Sequence, residues 1–163
     1  MSDSGVYEKL INASIRYVSF RPRSEKEFRD FLVRKLKKSK TYAPSLVDRA
    51  IERMRELGYV DDEKFALWWI EQRQHFKPKG QRVVSAELGA KGVSRSVIAA
   101  IFARESNNLH AITLATRALE KKLPIWHTFP LLVQKKKAYD FLYRRGFDTD
   151  TISRVVDALV KKS

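Results

Sequence analysis

The sequence predicts an all-α protein assembled from tandem copies of one helical unit. Three observations predict it. The 163 residues include only six glycines and five prolines. These fall at the ends of apolar-periodic segments, where Gly stops helices and Pro starts or follows them. No segment sustains a period-two alternation, so no sheet is expected. Two stretches superimpose at an offset of 54, Leu88-x-x-Lys91-Gly92-Val93-Ser94 on Leu142-x-x-Arg145-Gly146-Phe147-Asp148. Downstream, Ile98 and Ile101 match Ile152 and Val155. The repeated unit is a helix, a glycine stop, an apolar plug, a polar cap and a second helix. Units this small bury little core alone, so neighbours are expected to stack.

The elements follow in chain order. Residues 1–6 read as a short tail. Ser24 and Glu27 form an S-x-x-E capping box that opens a helix running to about Lys38. Phe28, Phe31, Leu32 and Leu36 give that helix one apolar stripe. Pro44 suits the first turn of the next helix and Gly58 its C′ position. Asp61 can cap a helix to about Phe76, in which Phe65, Trp69 and Phe76 share a face and Trp68 sits at its edge. With Leu67 and Ile70 pointing elsewhere, that helix is expected to lie buried between neighbours, its tryptophans packing in the core rather than stacking on bases. Ser94 and Asp148 are further caps, Gly92 and Gly146 further stops. The first third holds a looser copy, in which Arg21-Pro22-Arg23 resembles Lys77-Pro78-Lys79 and Leu32 lies where Leu88 does. A few extra residues then fall around Lys38 to Tyr42. The expected divisions are 1–60, 61–106 and 107–163.

Composition excludes several functions. Thirty-three Lys and Arg against nineteen Asp and Glu give a formal charge of +14. With no cysteine, there is no disulfide scaffold, thiolate zinc site or cysteine nucleophile. His75, His110 and His127 lack the i, i+4 spacing of a helical metal pair. Val97 to Ala103, the longest apolar run, is far too short to span a bilayer. The opening MSDSGVYEKL lacks the basic-then-apolar order of a secretory signal, so a cytoplasmic protein is expected, with no membrane partner. Asp61, Asp62 and Glu63 cluster at a helix start, where carboxylates cap orphan amides, and read as capping rather than catalysis. Gly80 stands among Lys-Pro-Lys and Gln-Arg and does not match the phosphate-loop pattern. No enzyme activity and no cofactor are expected.

What remains is charge. Residues 11–60 carry 13 basic and 6 acidic side chains, residues 61–106 carry 8 and 6, and residues 107–163 carry 11 and 5. The excess therefore sits at both ends, which implies a polyanionic or acidic partner. Taking about 100° per residue, Lys26, Arg34, Lys37 and Lys38 lie opposite the first apolar stripe, with Asp30 among them. In the last third, Leu131, Ala138, Phe141 and Leu142 share one face, and Lys136, Lys137 and Arg144 the other, accompanied by Asp140. Arg suits bidentate pairing with carboxylate or phosphate, which favours Arg34, Arg144 and Arg145. Arg145 lies nearer the apolar edge, where its stem can serve packing. Lys77, Lys79 and Arg82 surround a loop feeding a helix start, a candidate anion site.

An ordered set of motifs carries a family resemblance. Arg21-Pro22-Arg23-Ser24-Glu25-x-Glu27, Gly58-Tyr59-Val60-Asp61-Asp62-Glu63-Lys64-Phe65-Ala66 and Trp69-x-x-x-Arg73 resemble signatures of the RecX family. So do Gly80-x-Arg82-x-Val84-x-x-Glu87-Leu88-x-x-Lys91-Gly92-Val93 and Lys137-x-x-x-Phe141-Leu142-x-Arg144-Arg145-Gly146-Phe147. The resemblance covers about residues 11 to 160. It implies three tandem three-helix repeats in an elongated, curved array. It also implies a regulator that binds the filament of the RecA recombinase on DNA and lowers its ATPase, strand-exchange and coprotease activities. Under that reading the eleven cations named above form the RecA- and DNA-binding surface. Direct contact with single- or double-stranded DNA is weaker, and the protein acts as a monomer. The alternative is a stand-alone helix-turn-helix nucleic-acid-binding protein. Such a protein would show Asn, Gln, Arg and Ser clustered on one exposed helix face for base reading, whereas these faces offer mostly Lys and Arg.

Overall fold

A computed structural model describes residues 3–40, 43–105 and 108–161. Among them the regular structure is entirely helical: α1 (Asp3–Ser19), α2 (Glu25–Lys38), α3 (Pro44–Glu56), α4 (Asp62–Phe76), α5 (Gln81–Ala90), α6 (Arg95–Glu105), α7 (Asn108–Glu120), α8 (Leu123–Trp126), α9 (Leu131–Arg144) and α10 (Thr149–Leu159). The expected all-α class is what the chain adopts. The helix ends are made by local chemistry. Ser24 accepts from the Glu27 amide while the Glu27 carboxylate accepts from the Ser24 amide, closing the capping box of α2. Asp148 accepts from the Thr151 amide at 2.9 Å, Ser94 from the Val97 amide at 3.3 Å and Asp61 from the Lys64 amide at 3.1 Å. Pro44 opens α3, as its fixed φ and missing N–H allow.

The chain divides into two compact units, Met1–Trp68 with Gly89–Val97, and Trp69–Leu88 with Ile98–Ser163. The middle stretch thus contributes to both. In the first unit, Val6 and Leu10 of α1, Phe28, Leu32 and Leu36 of α2, and Leu46, Val47, Ala50, Ile51 and Met54 of α3 form one core with Val60. Removing each large side chain from water contributes roughly 1.5–3 kcal/mol. Tyr17 stacks on Phe31, centroids 4.1 Å apart and planes 1° from parallel, which extends the α2 stripe toward α1. In the second unit the core joins Leu114, Ala115, Ala118 and Leu119 of α7, Ala138, Phe141 and Leu142 of α9, and Ile152, Val155 and Val156 of α10. Trp126 of α8 meets the edge of Phe141 at 5.9 Å, so this short helix plugs one side of that core.

Each unit contains the same joint. In the first, the Ser24 hydroxyl at the start of α2 donates to the Lys91 carbonyl at 2.7 Å. Lys91 Nζ then pairs with Glu27 at 2.9 Å. In the second, the Gly80 amide at the start of α5 donates to the Arg145 carbonyl at 2.8 Å, and the Arg145 guanidinium reaches the Pro78 carbonyl at 3.4 Å. The residue after each carbonyl must be glycine. Gly92 has φ +85°, and a Cβ there would lie 2.6 Å from Lys26 Cβ; Gly146 has φ +93°, and a Cβ would lie 2.7 Å from the Val83 backbone nitrogen.

Three expectations are corrected. Residues 3–6 are not a tail: α1 begins at Asp3, and Val6 enters the core at 8% exposure because Val6 and Leu10 are one helical turn apart. Phe76 does not share a buried face with Phe65 and Trp69. Phe65 is 1% exposed, Trp69 is half-buried and Phe76 is 77% exposed, because Phe76 is the last residue of α4 and the chain turns away at Lys77-Pro78. Leu67 is also exposed, so α4 is not buried on all sides. Counted from the helix starts at Glu25 and Gln81, Leu32 lies where Leu88 does, as expected; counted from the turn that ends each helix, Leu36 stands where Leu88 and Leu142 do. The positive-φ residues Lys40, Gly92 and Gly146 follow these leucines at equal spacing. The helix α2 has 14 residues against 10 in α5, an extra turn that shifts the register by four. Of the expected extra residues at Lys38 to Tyr42, Thr41 and Tyr42 lie outside the described residues.

Candidate binding surfaces

On α2, Arg34, Lys37 and Lys38 are exposed, and none has a carboxylate partner among the described residues. Lys37 and Lys38 stand in the last turn, where positive charge also opposes the helix macrodipole. Lys26 differs: it pairs with Asp30 at 3.3 Å, and its methylenes lie against Gly92. On α9, Lys136 and Arg144 are exposed without a carboxylate partner among the described residues. Lys137 instead lies over the Phe129 ring, 4.8 Å from its centroid, and the neighbouring Lys135 pairs with Asp157 at 3.4 Å.

The three cations near α5 do not converge on an anion. Lys79 pairs with Glu87, which also accepts from Arg73 at 2.8 Å and from the Trp69 indole at 2.9 Å. Burial works to raise the Glu87 carboxyl, but hydrogen bonds from Lys79, Arg73 and Trp69 outweigh it and hold the group below its ordinary value. Arg82 lies over the Tyr143 ring at 4.9 Å and donates to the Tyr143 carbonyl. Lys77 is exposed and without a carboxylate partner among the described residues, and Arg82, also exposed, is engaged by Tyr143 rather than by an acid. A cleft of about 600 Å³ in the second unit is lined by Arg73, Lys79, Arg82, His110 and Tyr143 over an apolar floor that includes Phe102 and Leu114. Its cations Arg73, Lys79 and Arg82 all have intramolecular partners.

Arg145 takes the packing role. It contacts the Pro78 carbonyl and lies over Phe141 at 4.9 Å, and burial draws its guanidinium below its usual value. The tryptophans are likewise committed: Trp68 packs near Phe65 at 6.1 Å under Arg21, and Trp69 is bonded to Glu87.

Sequence reasoning missed two charged nodes. Glu27 accepts from Arg21 at 2.7 Å, from Lys91 at 2.9 Å and from the Ser24 amide at 3.1 Å. Burial opposes its ionisation, yet these donors hold the carboxyl at about 2. Asp62 accepts from the Glu25 amide at 2.8 Å, a second cap for α2 supplied from α4. Burial raises the Asp62 carboxyl above its ordinary value despite that bond. For Glu27, as for Glu87, the available signal was Glu placed among Arg and Lys in the Arg21-to-Glu27 and Arg73-to-Glu87 stretches; Asp62 read only as a cap of its own helix.

The scaffold is a series of repeated helical turns that carries exposed cations with no ion pair to a carboxylate among the described residues. Two family profiles match, described as the RecX second three-helix domain over residues 61–100 and the RecX third three-helix domain over residues 112–156. A "Regulatory protein RecX" from Pelodictyon phaeoclathratiforme is 33% identical over 132 residues, covering 81% of this chain and 79% of that protein. The chain belongs to the RecX family. A "Regulatory protein RecX" from Chlorobium phaeobacteroides is 29% identical over 159 residues, covering 94% of this chain and 95% of the relative. In fold, the chain is similar to the crystal structure of RecX from Lactobacillus salivarius, with a TM-score of 0.80 at 19% identity, over 96% of this chain and 97% of the other.

Proposed function

We propose that this protein regulates the RecA recombinase by binding the RecA–DNA filament and inhibiting its ATPase, strand-exchange and coprotease activities, with no bond-making of its own. The observation that carries the reading is the pair of uncompensated cation clusters, Arg34, Lys37 and Lys38 on α2 and Lys136 and Arg144 on α9, in a member of a regulatory family. Cations fixed on rigid helices and lacking internal carboxylates keep their attraction for an external polyanion. Lys77 adds to this set, while Lys26, Lys79, Arg82, Lys137 and Arg145 act chiefly within the fold. Docking that favours one filament state over another shifts its assembly and turnover without chemistry at the docked surface.

The test is the ATPase rate of the cognate RecA on single-stranded DNA, with and without this protein, alongside co-sedimentation on filaments. The expected result is a dose-dependent fall in turnover with the protein in the pellet. Unchanged turnover at saturation, with the protein left in the supernatant, would overturn the proposal.

A further inference from the structure

The phenylalanines of one repeated motif have no place in the joints, the cores or the cation clusters. Phe20-Arg21-Pro22-Arg23 precedes α2, and Phe76-Lys77-Pro78-Lys79 precedes α5. The phenylalanine of each is nearly bare, 83% exposed at Phe20 and 77% at Phe76. Single exposed apolar residues are common and need no explanation. A bare aromatic ring recurring at the same step of two repeats, each time beside cations and a rigid proline, is a pattern. Arg23, bonded through Nε to the Tyr17 carbonyl at 3.3 Å, and the exposed Lys77 have no carboxylate partner among the described residues. The third repeat supplies a contrast. Phe129 also precedes a proline at a helix start, but it is only 40% exposed and Lys137 covers its face.

We propose that Phe20 and Phe76 are stacking platforms for the unpaired bases of a single-stranded nucleic acid. The inference rests on the filament reading only in that such a strand runs through the filament. An aromatic ring flanked by cations is the arrangement that binds single strands without sequence preference: the ring takes a base face and the cation the adjoining phosphate. A protein partner would want something different. Aromatic anchors at protein interfaces sit within a surround of close-packed contacts that excludes water. The chain neighbours of these rings are Ser19, Arg21, His75 and Lys77, all polar. Duplex bases are already stacked and present no free face.

The test is equilibrium binding of the full chain to a fluorescent oligothymidylate of about 16 nucleotides and to a duplex of equal length. Phe20→Ala, Phe76→Ala, the double variant, Phe20→Trp with Phe76→Trp, and Leu132→Ala are compared with the parent. Leu132 is 82% exposed and stands outside the motif, so it controls for loss of bare apolar surface. We expect about tenfold weaker oligothymidylate binding for each Ala variant, more for the double, and parental affinity for the Trp pair. Duplex affinity and melting temperature stay at the parental values in all of them. Oligothymidylate affinity within about twofold of the parent for the double variant overturns the inference. If that variant binds the oligonucleotide normally yet loses inhibition of the filament ATPase, the rings dock on protein and the inference also falls. A parent chain that binds oligothymidylate through these rings but leaves the ATPase untouched would sink the filament proposal and leave this one standing.

Discussion

Glu27 shows how much one side chain can organise. It closes the α2 capping box, pairs with Arg21 and takes Lys91 from the facing turn, all while 15% exposed. Its carboxyl sits at about 2 against an ordinary 4.5. A depressed folded-state value means the ionised form stabilises the fold: the gain is complete above about pH 4.5 and is lost as the pH falls toward 2. From the size of the shift it is worth about 3 kcal/mol at neutral pH. Glu27→Gln is expected to lower the melting temperature by about 5–10 °C at pH 7, with the difference narrowing between pH 4.5 and pH 2.5. A constant difference across that range would place the effect in packing instead. The residue scale is also where the sequence was most misleading. Lys79 and Arg82 look free in a linear reading because their partners, Glu87 and the Tyr143 carbonyl, come from one helix and one repeat further on.

At the level of the elements, helix ends were legible and helix environments were not. Caps at Ser24, Ser94 and Asp148 and stops at Gly58, Gly92 and Gly146 are local chemistry, readable from residues within a turn of each other. The exposure of Phe76 and the early start of α1 depend on what lies nearby in space, which periodicity does not encode. The joints explain why two of those glycines matter twice over, once for φ and once for room. Gly146→Ala must adopt φ +93° and also place a methyl 2.7 Å from the Val83 nitrogen. We expect it to cost about 2–4 kcal/mol, measured as the shift in urea midpoint at unchanged slope. The exposed Gly89, whose added Cβ meets nothing within 4 Å, is the matched control: it stands inside α5, and alanine there should gain about 0.5–1 kcal/mol. Equal effects at both positions would mean that the joint carries no energy.

For the whole molecule, the +14 charge was plain from composition, but its working part was not. Several of the cations named from the helical pattern are consumed by Asp30, Glu87, Tyr143, Phe129 and Pro78, and the remainder are those that form no ion pair with a carboxylate among the described residues, although Asp30 and Asp140 share their helix faces. Reversing Arg34, Lys37, Lys136 and Arg144 to Glu should therefore leave the melting temperature within about 2 °C, since exposed charges contribute little to stability. The same variant should bind filaments at least tenfold more weakly, with a shallower dependence of log affinity on log salt, read by co-sedimentation from about 50 to 200 mM salt. Parental affinity in that variant would mean the partner meets other faces.

The two joints have a consequence for how such a chain can change. At both seams the decisive acceptor is a main-chain carbonyl and the decisive space is a missing methyl, so the bonding there is blind to most side chains. Lys91 and Arg145 apart, drift in the surrounding lysines and arginines leaves the mortar untouched. A protein built this way can retune its outer charge to a new client, one substitution at a time, without having to rediscover how its bricks are laid.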